Sequence, residues 1–223
     1  MLMGNWFYSS PITYYPSFKK MKIICIGRNY ADHISELNNE RPTEPVIFLK
    51  PDSSILPNKN PFVIPAFSND IHHEVEILVK ICKVGKHIDA KFAHKYYEEI
   101  GLGIDFTARD VQSKLKEKGL PWEKAKAFDH SAVIGNFTSK KKYSSLENIN
   151  FELKSNGVTV QEGNTNLMLW KIDELISYVS QYFTLKIGDI IFTGTPKGVA
   201  KVTEGDVLEG FIEGKSMFKV QIR

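Results

Sequence analysis

The chain of 223 residues has little of what marks several protein classes. It contains only two cysteines, Cys25 and Cys82, each in an apolar strand-like run, so we expect two buried thiols in a reducing compartment rather than a disulfide framework. No apolar run is long enough to span a bilayer, and a net charge of +3 is too small to indicate nucleic-acid binding. These features predict a cytoplasmic globular protein with neither a membrane nor a nucleic-acid partner.

Several well-defined catalytic motifs are also absent. The H-E-x-x-H zinc pattern needs a second histidine four residues after the first, but Glu76 and Ile77 follow His72 and His73 at that distance. The sequence has no G-x-G-x-x-G dinucleotide fingerprint, no P-loop, and no G-x-S-x-G or Cys–His signature. Nucleotide binding and serine or cysteine nucleophile chemistry therefore have little support.

The N-terminal segment differs in composition from the rest of the chain. Residues 1–20 hold six aromatic residues and no acidic residue, and they lack the continuous apolar stretch of a secretory signal. Hydrophobic residues make up 42% of the chain and charged residues 25%, which fits a globular protein with a sizeable core. We therefore expect an aromatic-rich extension over 1–20 and a single catalytic domain over 21–223.

The hydrophobic patterns predict an α+β fold dominated by strands, without the alternation of strands and helices that builds parallel sheets. Asn156-Gly157 predicts a hairpin turn between two alternating segments. Predicted strands cover 22–27, 45–51, 73–81, 102–108, 189–194, 206–213 and 216–222. Predicted helices cover 29–37, 89–101, 109–119 and 172–183.

The stretch IHHEVEI at 71–77 carries the clearest chemical signal. Alternate residues of a strand share a face, so Glu74 and Glu76 lie together and His73 lies opposite. Two carboxylates on one face repel each other unless a cation or a proton lies between them. A solvated sheet face is the simplest explanation, but a third oxygen ligand from elsewhere would make this pair a site for Mg²⁺, Mn²⁺ or Ca²⁺.

Other polar residues interrupt apolar segments. His33 and Glu36 are three residues apart and are neighbours on a helical turn, although most pairs of this kind are surface contacts. Asp105 lies in an apolar strand, where a charge is costly unless it is paired with a cation such as Arg109 or bound to a metal. Lys126 stands between small and aromatic residues, where an exposed lysine is the ordinary expectation.

Six segments together resemble the fumarylacetoacetate hydrolase domain family, and most closely its acylpyruvase and oxaloacetate decarboxylase branch. They follow the family's order and spacing from about Cys25 to the C-terminus, and they do not include residues 1–20. The segments are GRNYADH, FLKP, HHEVE, GIDFTARDVQ, KGLPWEKAKAFD and GDIIFTGTPKGV. The resemblance implies a fold of mixed β-sheets rolled around a metal site, with a few short helices.

The resemblance also implies roles for individual residues. The implied metal ligands, for Mg²⁺ or Mn²⁺, are Glu74, Glu76 and Asp105. The implied catalytic residues are His33, Glu36 and Lys126, with the first two in a segment that orders as a lid. The implied substrate-binding residues are Arg28, Arg109, Gln112 and Thr195.

The implied activity is metal-dependent hydrolysis of the C–C bond of acylpyruvates such as fumarylpyruvate or acetylpyruvate, with oxaloacetate decarboxylation as a further activity. Two alternatives pass through the same enolate: keto–enol tautomerisation of oxaloacetate and isomerisation of 2-hydroxyhepta-2,4-diene-1,7-dioate. A non-catalytic protein that binds 2-oxo acids is an alternative from another class. The residues at the metal do not separate these activities. The family is usually dimeric, so we expect a homodimer.

Overall fold

The computed structural model describes residues 21–37 and 40–223. The expected extension at 1–20 lies outside the described residues. Thirteen strands are present in the described part: β1 (Ile23–Gly27), β2 (Val46–Lys50), β3 (Ile71–His73), β4 (Val75–Ile81), β5 (Tyr97–Asp105), β6 (Thr107–Ala108), β7 (Ala132–Ser139), β8 (Asn150–Ser155), β9 (Val158–Asn164), β10 (Ile190–Phe192), β11 (Ala200–Lys201), β12 (Val207–Ile212) and β13 (Lys215–Gln221). The helices are α1 (Ala31–Glu36), α2 (Ala90–Ala93), α3 (Arg109–Glu117), α4 (Glu123–Lys126) and α5 (Ile172–Tyr182), with 3₁₀ turns at Asp52–Ser54, Lys140–Lys142 and Thr165–Leu167. The predicted β-dominated α+β class is confirmed. Among these elements, no helix has the length and apolar character needed to cross a bilayer.

A mixed sheet of six strands forms the centre of the fold, in the order β2-β1-β10-β4-β5-β7. Only β1 and β10 run parallel, and every other neighbouring pair is antiparallel. The central strand β4 is buried on both faces except at Lys80, which explains why its sequence is almost continuously apolar.

Two smaller sheets wrap around this centre. The first has the order β11-β3-β6, and the second has the order β13-β12-β8-β9. Strands β12 and β13 pack against β5, and β13 also packs against β7. The shared core contains apolar side chains from both layers, including Ile77, Val79, Leu102, Ile104, Leu153, Leu208 and Met217. This wrapping produces the rolled arrangement that the sequence resemblance implies.

The predicted hairpin is present between β8 and β9. Asn156 and Gly157 have φ angles of 52° and 83°, the left-handed conformations that a two-residue hairpin turn of this type requires. The hairpin matters for the site because it carries Gln161 toward the start of β4.

Two predictions about the region around β4 and β5 are wrong. The helix predicted over 89–101 ends at Ala93, and β5 begins at Tyr97, because β5 pairs with strands on both sides and this pairing outweighs local helix propensity. Phe92, in the part that stays helical, is 46% exposed. Cys25 is buried as predicted, but Cys82 is exposed because β4 ends one residue before it.

Candidate active site

Three carboxylates meet where β4 begins and β5 ends. Glu74 stands between β3 and β4, Glu76 is the second residue of β4, and Asp105 is the last residue of β5. The antiparallel register sets Glu76 opposite Gly103, and the Asp105 N–H donates to the Glu74 carbonyl oxygen at 2.9 Å. One carboxylate oxygen from each residue lies within 4.8 Å of the other two, and all three side chains are buried. Strand pairing alone therefore assembles this trio.

Three cations compensate two of the carboxylates. Lys126 Nζ lies 2.8 Å from both Glu74 Oε2 and Asp105 Oδ2, and Arg109 pairs with Glu74 Oε1. Lys50 Nζ lies 2.7 Å from Asp105 Oδ1 as an ion pair without hydrogen-bond geometry. Burial alone would raise the pKa of Glu74, but the charges of Lys126 and Arg109 hold it well below its usual range. Glu74 is therefore ionised at neutral pH.

Glu76 differs because none of the ion pairs among the described residues includes it. Its Oε2 accepts a hydrogen bond from the Gly194 N–H at 2.6 Å. Burial raises the pKa of Glu76 well above its usual range, and the charges of Asp105 and Glu74 raise it further. The approach of the Gly194 backbone depends on its lack of a side chain, since its φ is 100° and a Cβ would lie 2.7 Å from Asn29 Cβ.

This donor set fits a hard divalent cation. Carboxylate oxygens are the ligands that Mg²⁺ and Mn²⁺ prefer. Glu76 adds a buried carboxylate that forms no ion pair among the described residues, and the charge of Lys126 offsets its burial and its carboxylate neighbours only in part. A bound cation would offset that charge, so the buried trio of Glu74, Glu76 and Asp105 fits the metal that the sequence predicts.

Lys126 is buried, contrary to the exposed lysine that its local sequence ordinarily indicates. It ends the short helix α4, where its backbone N–H donates to the Trp122 carbonyl oxygen at 2.9 Å. Its ammonium also donates to Thr107 Oγ1 at 2.6 Å. Burial acts to lower the pKa of Lys126, but the charges of Asp105 and Glu74 raise it above its usual range. Lys126 therefore holds a fixed positive charge inside the site.

His33 and Glu36 form a hydrogen-bonded pair on α1. His33 Nδ1 lies 3.2 Å from Glu36 Oε2, and Glu36 Oε1 accepts a hydrogen bond from the Gly198 N–H at 2.9 Å. Burial lowers the pKa of His33, and the opposing effects of Glu74 and Glu36 only partly offset it. The ring is therefore neutral at neutral pH, and a proton on Nδ1 facing Glu36 leaves Nε2 as the acceptor.

The predicted substrate-binding residues are held by different contacts. Arg109 Nη1 donates to Gln112 Oε1 at 2.6 Å, which joins these two side chains at the start of α3. Thr195 Oγ1 accepts a hydrogen bond from Gln161 Nε2 at 3.0 Å. Arg28 follows β1 with a φ of 60°, a left-handed conformation that is uncommon for a residue with a side chain and worth testing for function.

Nine of the ten predicted site residues line one cavity of about 40 Å³: Arg28, His33, Glu74, Glu76, Asp105, Arg109, Gln112, Lys126 and Thr195. Glu36 is the tenth and reaches this cavity through His33. A surface groove of about 770 Å³ lies beside the cavity and shares Arg28 and Phe48 with it. The groove contains none of the three carboxylates, so we place the candidate chemistry in the smaller cavity.

Sequence reasoning missed three residues of this region. Lys50 is 2% exposed and donates to Ser131 Oγ at 2.8 Å and to the Lys126 carbonyl oxygen, so it supports both Asp105 and α4. Its signal was available, because a lysine at the end of the apolar run VIFLK can be a buried charge as well as a solvated end. Lys116 and Trp122 also line the cavity, and no local pattern distinguishes them from surface residues.

Comparison with known proteins identifies the family of this chain and shows that relatives in it are named as enzymes. A family model described as fumarylacetoacetate (FAA) hydrolase C-terminal matches residues 22–223. The chain is 43% identical over 200 residues to the Bos taurus protein named oxaloacetate tautomerase FAHD1, mitochondrial, with 90% of each chain covered. It is 45% identical over 194 residues to the Dictyostelium discoideum protein named oxaloacetate decarboxylase, mitochondrial, with 86% of this chain and 89% of that relative covered.

A solved structure supports the same conclusion. The crystal structure of fumarylpyruvate hydrolase from Pseudomonas aeruginosa in complex with Mn²⁺ and pyruvate matches this fold with a TM-score of 0.85. The two chains are 32% identical, with 90% of this chain and 88% of that chain covered. The chain therefore belongs to the fumarylacetoacetate hydrolase family and is an enzyme, as its sequence motifs imply.

Proposed function

We propose that this chain catalyses the keto–enol tautomerisation of oxaloacetate with a bound divalent metal ion. The observation that carries the proposal is a single buried cavity that contains three carboxylates, the charged Lys126 and the neutral His33. The similarity to the Bos taurus protein named oxaloacetate tautomerase supports it. The motifs alone favour C–C hydrolysis, so the proposal moves an alternative activity to first place.

The carboxylates of Glu74, Glu76 and Asp105 would hold a Mg²⁺ or Mn²⁺ ion. When bound, such an ion supplies Lewis-acid chemistry that stabilises negative charge developing on substrate oxygens. The Pseudomonas aeruginosa relative contains Mn²⁺ together with pyruvate, which supports a metal of this kind beside a 2-oxo acid. Lys50 and Lys126 hold Asp105 from two sides and so orient one candidate ligand.

The charge of the cavity supports a substrate with two carboxylates. Three acidic residues line the cavity, the carboxylates described above, and four basic residues line it as well. The basic residues are Arg28, Arg109, Lys116 and Lys126. Once a divalent ion is added, positive charge exceeds negative charge in the cavity, and an excess of one sign attracts a ligand of the other. Oxaloacetate carries two carboxylates, whereas acetylpyruvate carries one. The lining therefore favours oxaloacetate or another dianion.

The side chains divide the remaining tasks between binding and proton transfer. Thr195 and the joined Arg109–Gln112 pair bind carboxylate oxygens, and the Lys126 ammonium stabilises the oxygen on C2 as its negative charge develops. In the direction of the enol, His33 Nε2 takes the proton from C3, and the protonated ring then gives a proton to the oxygen on C2. In the direction of the ketone the same two transfers run in reverse. Glu36 orients the ring through Nδ1 and stabilises its protonated form.

The test follows the enol absorbance of oxaloacetate and the release of pyruvate in the same samples, with Mg²⁺ and with EDTA. Oxaloacetate, acetylpyruvate and fumarylpyruvate are compared side by side. We expect metal-dependent tautomerisation of oxaloacetate that Lys126→Ala abolishes and Lys124→Ala leaves unchanged, because Lys124 is the exposed lysine of the same helix. A tautomerisation rate equal to that in buffer would refute the proposal.

Hydrolysis of acylpyruvates is the second candidate function. The His33–Glu36 pair favours it, because a neutral histidine held by a carboxylate can take a proton from water as well as from carbon. The fumarylpyruvate hydrolase named above is a structural relative. Pyruvate release from fumarylpyruvate without oxaloacetate tautomerisation would establish this function instead, and pyruvate release from oxaloacetate alone would indicate a decarboxylase.

Assembly and location stay predictions. We propose a homodimer, which light scattering at assay concentration tests directly, with a monomer as the contradicting result. The composition predicts a cytoplasmic location, whereas the names of the Bos taurus and Dictyostelium discoideum relatives state a mitochondrial one. Fractionation of cells that express the full chain distinguishes the two compartments.

A further inference from the structure

Gln161, on β9, has a buried side-chain amide with four hydrogen-bond partners. Its Oε1 accepts from the Val75 N–H at 3.1 Å and from His73 Nδ1 at 2.8 Å. Its Nε2 donates to Thr195 Oγ1 at 3.0 Å and to the Pro196 carbonyl oxygen at 3.1 Å. Gln161 is 2% exposed, so these four groups account for its hydrogen bonding.

The partners fix which end of the amide carries the oxygen. A backbone N–H only donates and a backbone carbonyl only accepts, so Val75 requires the oxygen on its side and Pro196 requires the NH₂ group on the other. The same orientation requires His73 to donate from Nδ1. The histidine that shares no strand face with Glu74 and Glu76 thus has a definite role, because it holds the Gln161 amide in place.

The orientation of Gln161 also decides the direction of the Thr195 hydroxyl. Since Thr195 Oγ1 accepts from Gln161, its own proton must point elsewhere. The Pro196 carbonyl oxygen is a poor acceptor for it, because it is 3.5 Å away and already accepts from Gln161 at 3.1 Å. Thr195 lines the cavity, which leaves the cavity as the direction for this proton.

We infer that Gln161, held by His73, is a positioning residue that makes the Thr195 hydroxyl a hydrogen-bond donor toward the cavity and thereby selects a carboxylate oxygen there. This inference rests on the proposed binding of a substrate carboxylate by Thr195. Gln161 and His73 do not line the cavity, so they act on the ligand through Thr195.

The test is a double-mutant cycle on oxalate binding, measured by titration calorimetry with Mn²⁺ present. Oxalate carries the carboxylate oxygens without being turned over, so the measurement stands whether or not oxaloacetate is the substrate. The variants are Gln161→Met, Thr195→Val and their combination, with Gln181→Met on the exposed face of α5 as the matched control. Mn²⁺ affinity without oxalate and the melting temperature are recorded for each protein.

We expect Thr195→Val to weaken oxalate binding about ten- to a hundredfold, the range for a hydrogen bond to a charged group. Gln161→Met should weaken it about three- to tenfold in the chain with Thr195, and by less than about twofold in the Thr195→Val background. Thr195→Ser keeps the hydroxyl and should retain most of the affinity. Gln181→Met and the Mn²⁺ affinity should not change.

An equal effect of Gln161→Met in both backgrounds would show that it does not act through Thr195 and would overturn the inference. So would unchanged oxalate affinity in Thr195→Val. If Gln161→Met does not fold, Gln161→Glu replaces it, since a carboxylate of the same length accepts the Thr195 proton. Its added charge should weaken oxalate binding in both backgrounds, and the loss should be larger in the chain with Thr195. Failure of both Gln161 variants to fold would assign a structural role and overturn the inference.

Discussion

Replacing Glu76 with glutamine should make the metal-free protein more stable while removing its response to metal. Glu76 is the buried carboxylate of the trio without a basic partner among the described residues, and it faces two further carboxylates. Glutamine keeps the acceptor for the Gly194 N–H and removes the charge. We expect a gain of about 2 kcal/mol, because burying an ion costs several kcal/mol of hydration and Glu76 has no ion pair to offset that cost. For a chain of this size that gain corresponds to a rise in melting temperature of about 4–8 °C.

The pH dependence of this gain has a definite sign. The folded protein raises the pKa of Glu76 above its ordinary value near 4.5, so folding favours the protonated form. Below that ordinary value both proteins are neutral at this position and their stabilities should agree. As the pH rises from there toward the folded pKa, the native protein loses stability that the variant keeps. The advantage of Glu76→Gln therefore grows with pH, and thermal unfolding in EDTA at several pH values measures it.

Metal reverses the order of the two proteins. At a free Mg²⁺ concentration of a hundred times Kd, the native protein should gain about 2.7 kcal/mol, and the variant should gain nothing. Glu98→Gln, an exposed change on β5, should differ from the native protein by less than about 0.5 kcal/mol under every condition. A variant that is less stable than the native protein in EDTA at pH 8 would refute the reasoning about the uncompensated charge. A variant that keeps the metal-dependent rise would refute the ligand assignment.

Three further predictions concern the other parts of the site. His33→Ala should lower kcat about a hundred- to ten-thousandfold. In the native protein kcat/KM should fall only below pH 6.5, because burial lowers the pKa of the His33 ring, and a pH–rate profile with its midpoint above 6.5 would contradict this. Lys126→Met should cost about 3–5 kcal/mol of unfolding free energy in EDTA, because it removes the buried cation that Glu74 and Asp105 share, and clearly less in saturating Mg²⁺. Equal losses in calorimetric melts would argue against a cation at the trio. Gly194→Ala should lower the free energy of unfolding by about 1–3 kcal/mol more than Gly188→Ala does. Both glycines have positive φ angles, but only at Gly194 would an added Cβ meet a close neighbour. Equal denaturation midpoints of the two variants would contradict this clash.

The parts of the site that sequence reasoning could reach are those whose geometry is local. The pairing of Glu74 with Glu76 was predicted from strand alternation, and it is present although Glu74 itself lies between β3 and β4. The pairing of His33 with Glu36 follows from the helical turn. Asp105 is different, because its place beside Glu74 depends on the pairing of β4 with β5. Only the family resemblance brought it into the trio.

What sequence reasoning could not reach depends on contacts between distant segments. The Gln161 amide meets Val75 across 86 residues, and nothing in the hairpin marks that residue as different from its polar neighbours. The prediction of a helix over 89–101 failed for a related reason, since β5 gains hydrogen bonds on both edges that a local pattern does not contain. The apolar run VIFLK draws attention to Lys50, but its partners Asp105 and Ser131 lie in distant segments that no local pattern identifies.

The site residues come from two separate parts of the fold, and this separation bears on how the enzyme's reaction can change during evolution. The candidate metal ligands belong to β4, β5 and the residue before β4, which are held in register by backbone hydrogen bonds at the centre of the sheet. The proposed proton-transfer pair, His33 and Glu36, belongs to α1, a six-residue helix near the N-terminal end of the described chain. If α1 supplies the proton transfer as proposed, substitutions in α1 would alter which bond reacts without disturbing the strands that carry the candidate metal ligands. Such a division lets duplicated copies of one ancestral gene acquire separate reactions through few mutations, with the costly buried centre inherited unchanged.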